Sequence, residues 1–134
     1  VKSFVKSFVK SMTRPLVSWY IYDLETGEPI GPVPVQEASC FRKKHYRVAL
    51  TELHACYVST VFLSLDHQFG KGPPLIFETM VFTYDSRDEL DVARYTTRDE
   101  ALEGHKRMVE RYTHDLERLA AEAPTHPTEG ASHG

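Results

Sequence analysis

Residues 46–84 read YRVALTELHACYVSTVFLSLDHQFGKGPPLIFETMVFTY, and this stretch decides the fold. Three runs in it, 46–53, 57–66 and 75–84, are rich in β-branched and aromatic residues and are of strand length. The first two flank the short connection His54-Ala55-Cys56, a spacing that suits a hairpin. The third follows the loop HQFGKGPP, whose Pro73 and Pro74 keep its end extended. Alternation along LIFETMVF puts Leu75, Phe77, Thr79 and Val81 on one face and Ile76, Glu78, Met80 and Phe82 on the other. Both faces are apolar, so the third run reads as a central strand.

Downstream, the acidic stretch DSRDELD turns the chain toward a short strand, Val92 to Tyr95. The clearest element comes next. Thr97 with Glu100 three residues later forms a capping box, and Asp99 adds negative charge to the first turn. Ala101, His105, Met108, Tyr112, Leu116 and Leu119 recur at spacings of three and four, one helical stripe. Glu103, Lys106, Arg107, Glu110, Arg111 and Arg118 occupy the opposite face, and the helix is expected to reach about Ala121, before Pro124. Upstream, 17–23 reads as a strand. The stretch LETGEPIGPVP carries two glycines and three prolines and reads as turns and irregular chain. Residues 35–44 read as a short helix presenting Val35, Ala38 and Phe41 to a core. The fold class is therefore α+β: an antiparallel, meander-like sheet of about four to five strands packed against one long C-terminal helix.

At 134 residues the chain is long enough for one ordinary core and too short for two. The organisation expected is a disordered or spurious extension over 1–15, where VKSF repeats ahead of Met12, a single domain over 16–122, and a disordered Pro/Gly/Ser/Thr-rich tail over 123–134. The formal charge of −3 argues against a general nucleic-acid binder. The local run Arg42, Lys43, Lys44, His45 and Arg47 reads as a solvated surface. No apolar run approaches the ~20 residues of a membrane span, and the N-terminus lacks the apolar core of a signal peptide, so a cytoplasmic setting is expected. Cys40 and Cys56 fit neither a zinc pattern nor a CxxC motif and are expected to be buried free thiols.

Three places depart from what a plain core requires. Glu78 is a carboxylate on a strand with two apolar faces, so it needs a partner or its pKa rises; a nearby arginine or a solvated strand end would supply the ordinary solution. His105 lies on the apolar helical stripe beside Gly104, a glycine that hints at close approach, and the ordinary outcome there is a hydrogen-bonded core histidine. Asp66-His67 ends a strand and opens the Gly/Pro loop, where functional residues concentrate. Together Asp66, His67, Glu78 and His105 are of the residue types that bind a divalent metal or form an acid/base set, with His105 expected to meet Glu78 across the helix–sheet interface and Asp66-His67 at the rim. No local ligand motif such as HExxH accompanies them, and GKGPP lacks the spacing of a phosphate loop.

The stretch from Ser59 to Phe82, STVFLSLDHQFGKGPPLIFETMVF, and that from Arg94 to Val109, RYTTRDEALEGHKRMV, resemble a group of small uncharacterised proteins of bacteriophages and their actinobacterial hosts. Their pattern runs STVWLGLDHxF, then GPPLIFETMVFGG, then RYxTxxEAxxGHxxMV. The likeness covers about half the chain. Ser64 stands where the pattern has glycine, and Thr83-Tyr84 where it has Gly-Gly, so the turn after the third strand is expected to differ. The resemblance implies a phage or prophage origin and a cytoplasmic setting, and no reaction. Asp66, His67, Glu78, Gly104 and His105 all fall inside the shared motifs.

Size, the lack of a catalytic motif and the resemblance make a small non-enzymatic phage-type accessory protein, binding a host or phage macromolecule, the leading reading. The rival is a metal-dependent or acid/base enzyme built on Asp66, His67, Glu78 and His105. A structural domain of a larger assembly is the third. The sequence names no cofactor, ligand or oligomeric state; a protein is the partner class that remains.

Overall fold

The computed structural model describes residues 17–68 and 71–122. The expectations for the extension over 1–15 and the tail over 123–134 lie outside the described residues. Four strands form an antiparallel meander in the order β3-β4-β5-β6: β3 Arg47–Glu52, β4 Cys56–Phe62, β5 Phe77–Thr83 and β6 Glu89–Tyr95. A separate two-stranded ladder pairs β1, Ile21–Tyr22, with β2, Pro29–Ile30. Two helices complete the fold, α1 Val35–His45 and α2 Arg98–Glu122.

The β-rich runs form the strands expected of them, trimmed at their ends. The β3–β4 turn is tighter than the spacing implied: the Leu53 amide donates to the Cys56 carbonyl at 2.8 Å, leaving His54 and Ala55 as the turn. β6 begins three residues before Val92, because Glu89 and Asp91 of the acidic stretch pair with Phe82 and Val81. The run 17–23 supplies only two ladder residues plus a bridge from Trp19 to Leu65, and the Gly/Pro segment read as irregular yields β2.

Alternation sorts the sheet into two faces. Phe62, Thr60, Val58 and Cys56 of β4 share one face with Phe77, Thr79 and Val81 of β5, and α2 lies across it, touching all four large-sheet strands. Its N-terminus carries the capping box: the Glu100 amide donates to Thr97 Oγ1 at 3.1 Å, and Glu100 Oε1 accepts from the Thr97 amide at 3.1 Å. Ala101, His105 and Met108 are buried, Tyr112 is half-buried and Lys106 is exposed, as the stripe predicts. The side chains of Leu116 and Leu119 lie outside the described set.

The core is two apolar clusters. At one end Tyr22, Phe62, Ile76, Phe77 and Ala101 are buried, with Tyr20, Phe41, Val48 and Tyr95 packed on them. Tyr22 makes ring contacts at 5.0 Å with each of Phe41, Phe62 and Phe77, so α1 and the small hairpin cover the same face as α2. Ala38 and Phe41 of α1 turn inward as expected, but Val35 is exposed. At the other end Cys56, Val58, Val81 and Met108 form the second cluster. Both cysteines are free; Cys56 is buried, and burial raises its thiol pKa, whereas Cys40 is exposed on α1, contrary to the expectation of two buried thiols.

Arg98 joins the hairpin to the start of α2. Its guanidinium donates to the carbonyls of Leu24 (2.7 Å) and Glu25 (3.2 Å), and its amide donates to the Gly27 carbonyl at 3.1 Å. Gly27 has φ +77°, and a Cβ there would stand 2.9 Å from Arg98 Cβ, so glycine meets both demands of this turn.

Candidate functional site

His105 sits between the two apolar clusters, on the one inner-face row built of small residues. Register places Ala49, Thr60, Thr79 and Ala93 side by side across β3, β4, β5 and β6. Two alanines and two threonines leave room for an imidazole that the phenylalanine and valine rows on either side would not. Thr60 Oγ1 lies 2.7 Å from His105 Nδ1 and 2.6 Å from Thr79 Oγ1, and Thr51 Oγ1 lies 2.8 Å from His105 Nε2.

A neutral ring has one donor and one acceptor nitrogen, and each hydroxyl has one donor, so the chain of four groups can be satisfied in either direction. With the proton on Nδ1, His105 donates to Thr60, Thr60 to Thr79, and Thr51 donates to Nε2. With it on Nε2 every bond reverses. Burial lowers the His105 pKa, since the charged form is the one that loses solvation. Both nitrogens are occupied, which leaves no lone pair for a metal or for proton abstraction. A shallow groove on α2 is lined by Asp99, Leu102, Glu103, His105 and Lys106.

Glu78 is on the other side. It is the strand neighbour of Thr79, so alternation turns it to the opposite face. There it is 9% exposed and pairs with Arg94, directly opposite on β6, with Arg94 Nε 3.0 Å from Glu78 Oε2. The expected meeting of Glu78 and His105 does not occur, because the sheet lies between them. Asp66 is taken up by the backbone: its Oδ1 accepts from the amides of Gln68 (2.8 Å) and Leu75 (2.9 Å), pinning both ends of the Gly/Pro loop. His67 Nδ1 lies 3.0 Å from the Leu65 carbonyl oxygen. Among the described residues no group of three or more His, Cys, Asp or Glu side chains is placed to share a metal ion. The four candidates are thus three separate local solutions.

Sequence reasoning missed Thr51, Thr60 and Thr79, and it missed Arg94 as the specific partner of Glu78. Threonine is commonplace in strands, and only the register shows that three of them converge.

The face that carries Glu78 is the unusual surface. Both helices and the small hairpin cover the inner face, and among the described residues no helix or strand packs on the outer one. Three rows cross it. Arg47, Val61, Glu78 and Arg94 form one, Leu50, Ser59, Met80 and Val92 the middle one, and Glu52, Tyr57, Phe82 and Glu89 the third. A one-sided antiparallel sheet ordinarily turns polar residues outward. Here Leu50 is 46% and Val92 37% exposed, Met80 is half-buried, and the Tyr57 and Phe82 rings stack at 5.4 Å with Tyr84 beside them.

Comparison with protein-family models, with curated proteins and with solved structures finds no match. The geometry is what bears on function.

Proposed function

We propose that this domain is a non-catalytic accessory module of the phage type its motifs resemble, and that it acts by docking a protein on the outer face of its sheet. The observation that carries the reading is the set of Leu50, Met80 and Val92 around a buried Ser59 in the middle row, flanked by the Tyr57–Phe82 stack, on a face without a described covering layer. The fate of three of the polar candidates supports it from the other side. His105 is satisfied by threonines, Glu78 by Arg94 and Asp66 by backbone amides, so each has a structural use. Ser64 supports the resemblance: it adopts φ +71°, a conformation that favours the glycine of the shared pattern, and its hydroxyl donates to the Tyr20 carbonyl at 2.7 Å.

The test is site-specific photo-crosslinking in cells with the full chain. A photoreactive residue replacing Phe82 is expected to give a discrete protein adduct that Met80→Lys abolishes, while the same probe replacing Lys106, on the far side of α2, gives none. No adduct from position 82, or the same adducts from both positions, would remove the reading.

A further inference from the structure

The charges on the two edge strands of the outer face are sorted, while Glu78 between them is paired with Arg94. Arg47 and Arg94 stand at the two ends of one flanking row, Glu52 and Glu89 at the two ends of the other. Two residues of strand separate each flanking row from the middle one, so the arginine and glutamate rows lie ~13 Å apart. Arg47 and Glu52 are both on β3, Glu89 and Arg94 both on β6, and all four are exposed. Among the described residues neither Arg47 nor Glu89 has an ion pair.

We propose that the occupant of this face is a second copy of the chain, related by a two-fold axis that runs along the middle row, across the strands. The inference rests on reading the outer face as a docking surface and names what docks there. An isologous contact brings one patch onto itself, and with the strands of the two sheets aligned the in-plane axis runs either along the strands or across them. An axis along the strands exchanges β3 with β6 and sets Arg47 against the partner's Arg94 and Glu52 against the partner's Glu89. That choice opposes like charges at every corner. An axis across the strands keeps each strand over its own counterpart and reverses its direction. Arg47 then faces the partner's Glu52 and Arg94 the partner's Glu89, which gives four opposite-charge contacts. Leu50, Met80 and Val92 meet their own copies, Tyr57 lies over Val61, and Phe82 covers the Glu78–Arg94 pair, on which an arginine plane can rest. Sheets packed this way keep their strands within about 30° of each other, as their twist requires.

The area sets the strength. Four strands ~4.8 Å apart and about seven residues long present roughly 450 Å² per copy, so the contact buries on the order of 1,000 Å² in all. That is below the size of a standard stable interface, so a weak, concentration-dependent dimer is expected. Its rim charges are solvent-exposed, so added salt weakens it further.

Sedimentation velocity of the full chain across a wide concentration range tests this. A monomer–dimer equilibrium is expected, with dissociation favoured by salt. Arg47→Glu should weaken it about tenfold, and Arg47→Glu with Glu52→Arg in the same chain should restore it. The rescue is diagnostic because Arg47 and Glu52 are five residues apart on one strand and do not touch within a copy. Both are exposed edge-strand residues, and matching melting curves confirm that the variants fold. A chain that stays monomeric at the highest concentration, or a dimer indifferent to the charge reversal or not rescued by the double change, overturns the proposal. If the chain is monomeric while a probe at position 82 still captures a different protein, the dimer is wrong and the docking face stands. If the chain is monomeric and position 82 captures nothing, both are wrong.

Discussion

Gly104→Ala sets two effects of opposite sign against each other. Alanine in a helix interior is favoured over glycine by about 1 kcal/mol, so on local grounds the change stabilises α2. The packing says otherwise. A Cβ at position 104 would fall 2.8 Å from Tyr95 Cε2 and closer still to its Cζ and Oη. Tyr95 has little freedom to retreat: it pairs with Phe77 in the β5–β6 ladder, its carbonyl accepts from the Ile76 amide at 3.0 Å, and its ring packs on the Tyr22–Phe62–Phe77 cluster. Forcing extra volume into such a site costs about 1–3 kcal/mol, and a methyl that overlaps ring atoms belongs at the upper end. The net expectation is a loss of about 1–2 kcal/mol. In a Tyr95→Ala background the ring is absent, and the same Gly104→Ala change should be stabilising by about 1 kcal/mol. Urea denaturation of the four proteins, with unchanged m-values, measures this cycle. A stabilising Gly104→Ala in the parent, or the same effect in both backgrounds, would show that Gly104 is not there to admit Tyr95.

Met108 is 6% exposed against Val58, Val81 and Cys56, so Met108→Ala should cost about 2–5 kcal/mol in the same assay while Lys106→Ala is near neutral; equal small effects would place the wrong face of α2 on the sheet. Because the folded-state pKa of His105 is lowered, the unfolded chain binds its proton first as pH falls, so stability should drop from about pH 6.5 down to the depressed folded value, by at most ~1.4 kcal/mol per pH unit. Comparing denaturation of the parent with that of His105→Gln over this window isolates the effect, and identical slopes would show that the histidine is not buried neutral. A thiol reagent should modify Cys40 at once in the folded protein and Cys56 only on unfolding; two equally fast thiols would mean that the second core cluster is open.

The elements that were legible in sequence are those whose signal is local. Alternation exposed β5 as a central strand, and the capping box with its stripe gave α2 almost to the residue. The anomalies were also visible, but their resolution was not. Glu78 and Arg94 are 16 residues apart and meet only because the β5–β6 register sets them opposite. His105 finds Thr60 and Thr51 at separations of 45 and 54 residues, and a threonine in a strand carries no mark that distinguishes a ligand of imidazole from an ordinary β-former. Apolar residues on both faces of β5 fit its interior place in the sheet, but they do not tell which face the helices take; the described helix packing lies on the inner one.

The Arg98 clasp has a consequence for how the chain is made. Arg98 holds the carbonyls of Leu24 and Glu25 across 74 and 73 residues of sequence, and its own amide holds Gly27. During synthesis the β1–β2 hairpin leaves the ribosome long before its anchor exists. At about 5–20 residues per second it waits on the order of 4–15 s for the start of α2. Tyr22 also needs Phe62 and Phe77, so no partial chain ending before β5 can shelter it fully. β1, the first of the described strands in chain order, is thus among the last to be secured. Nascent chains released before Arg98 should leave the β1–β2 hairpin open to protease, and chains released beyond α2 should not.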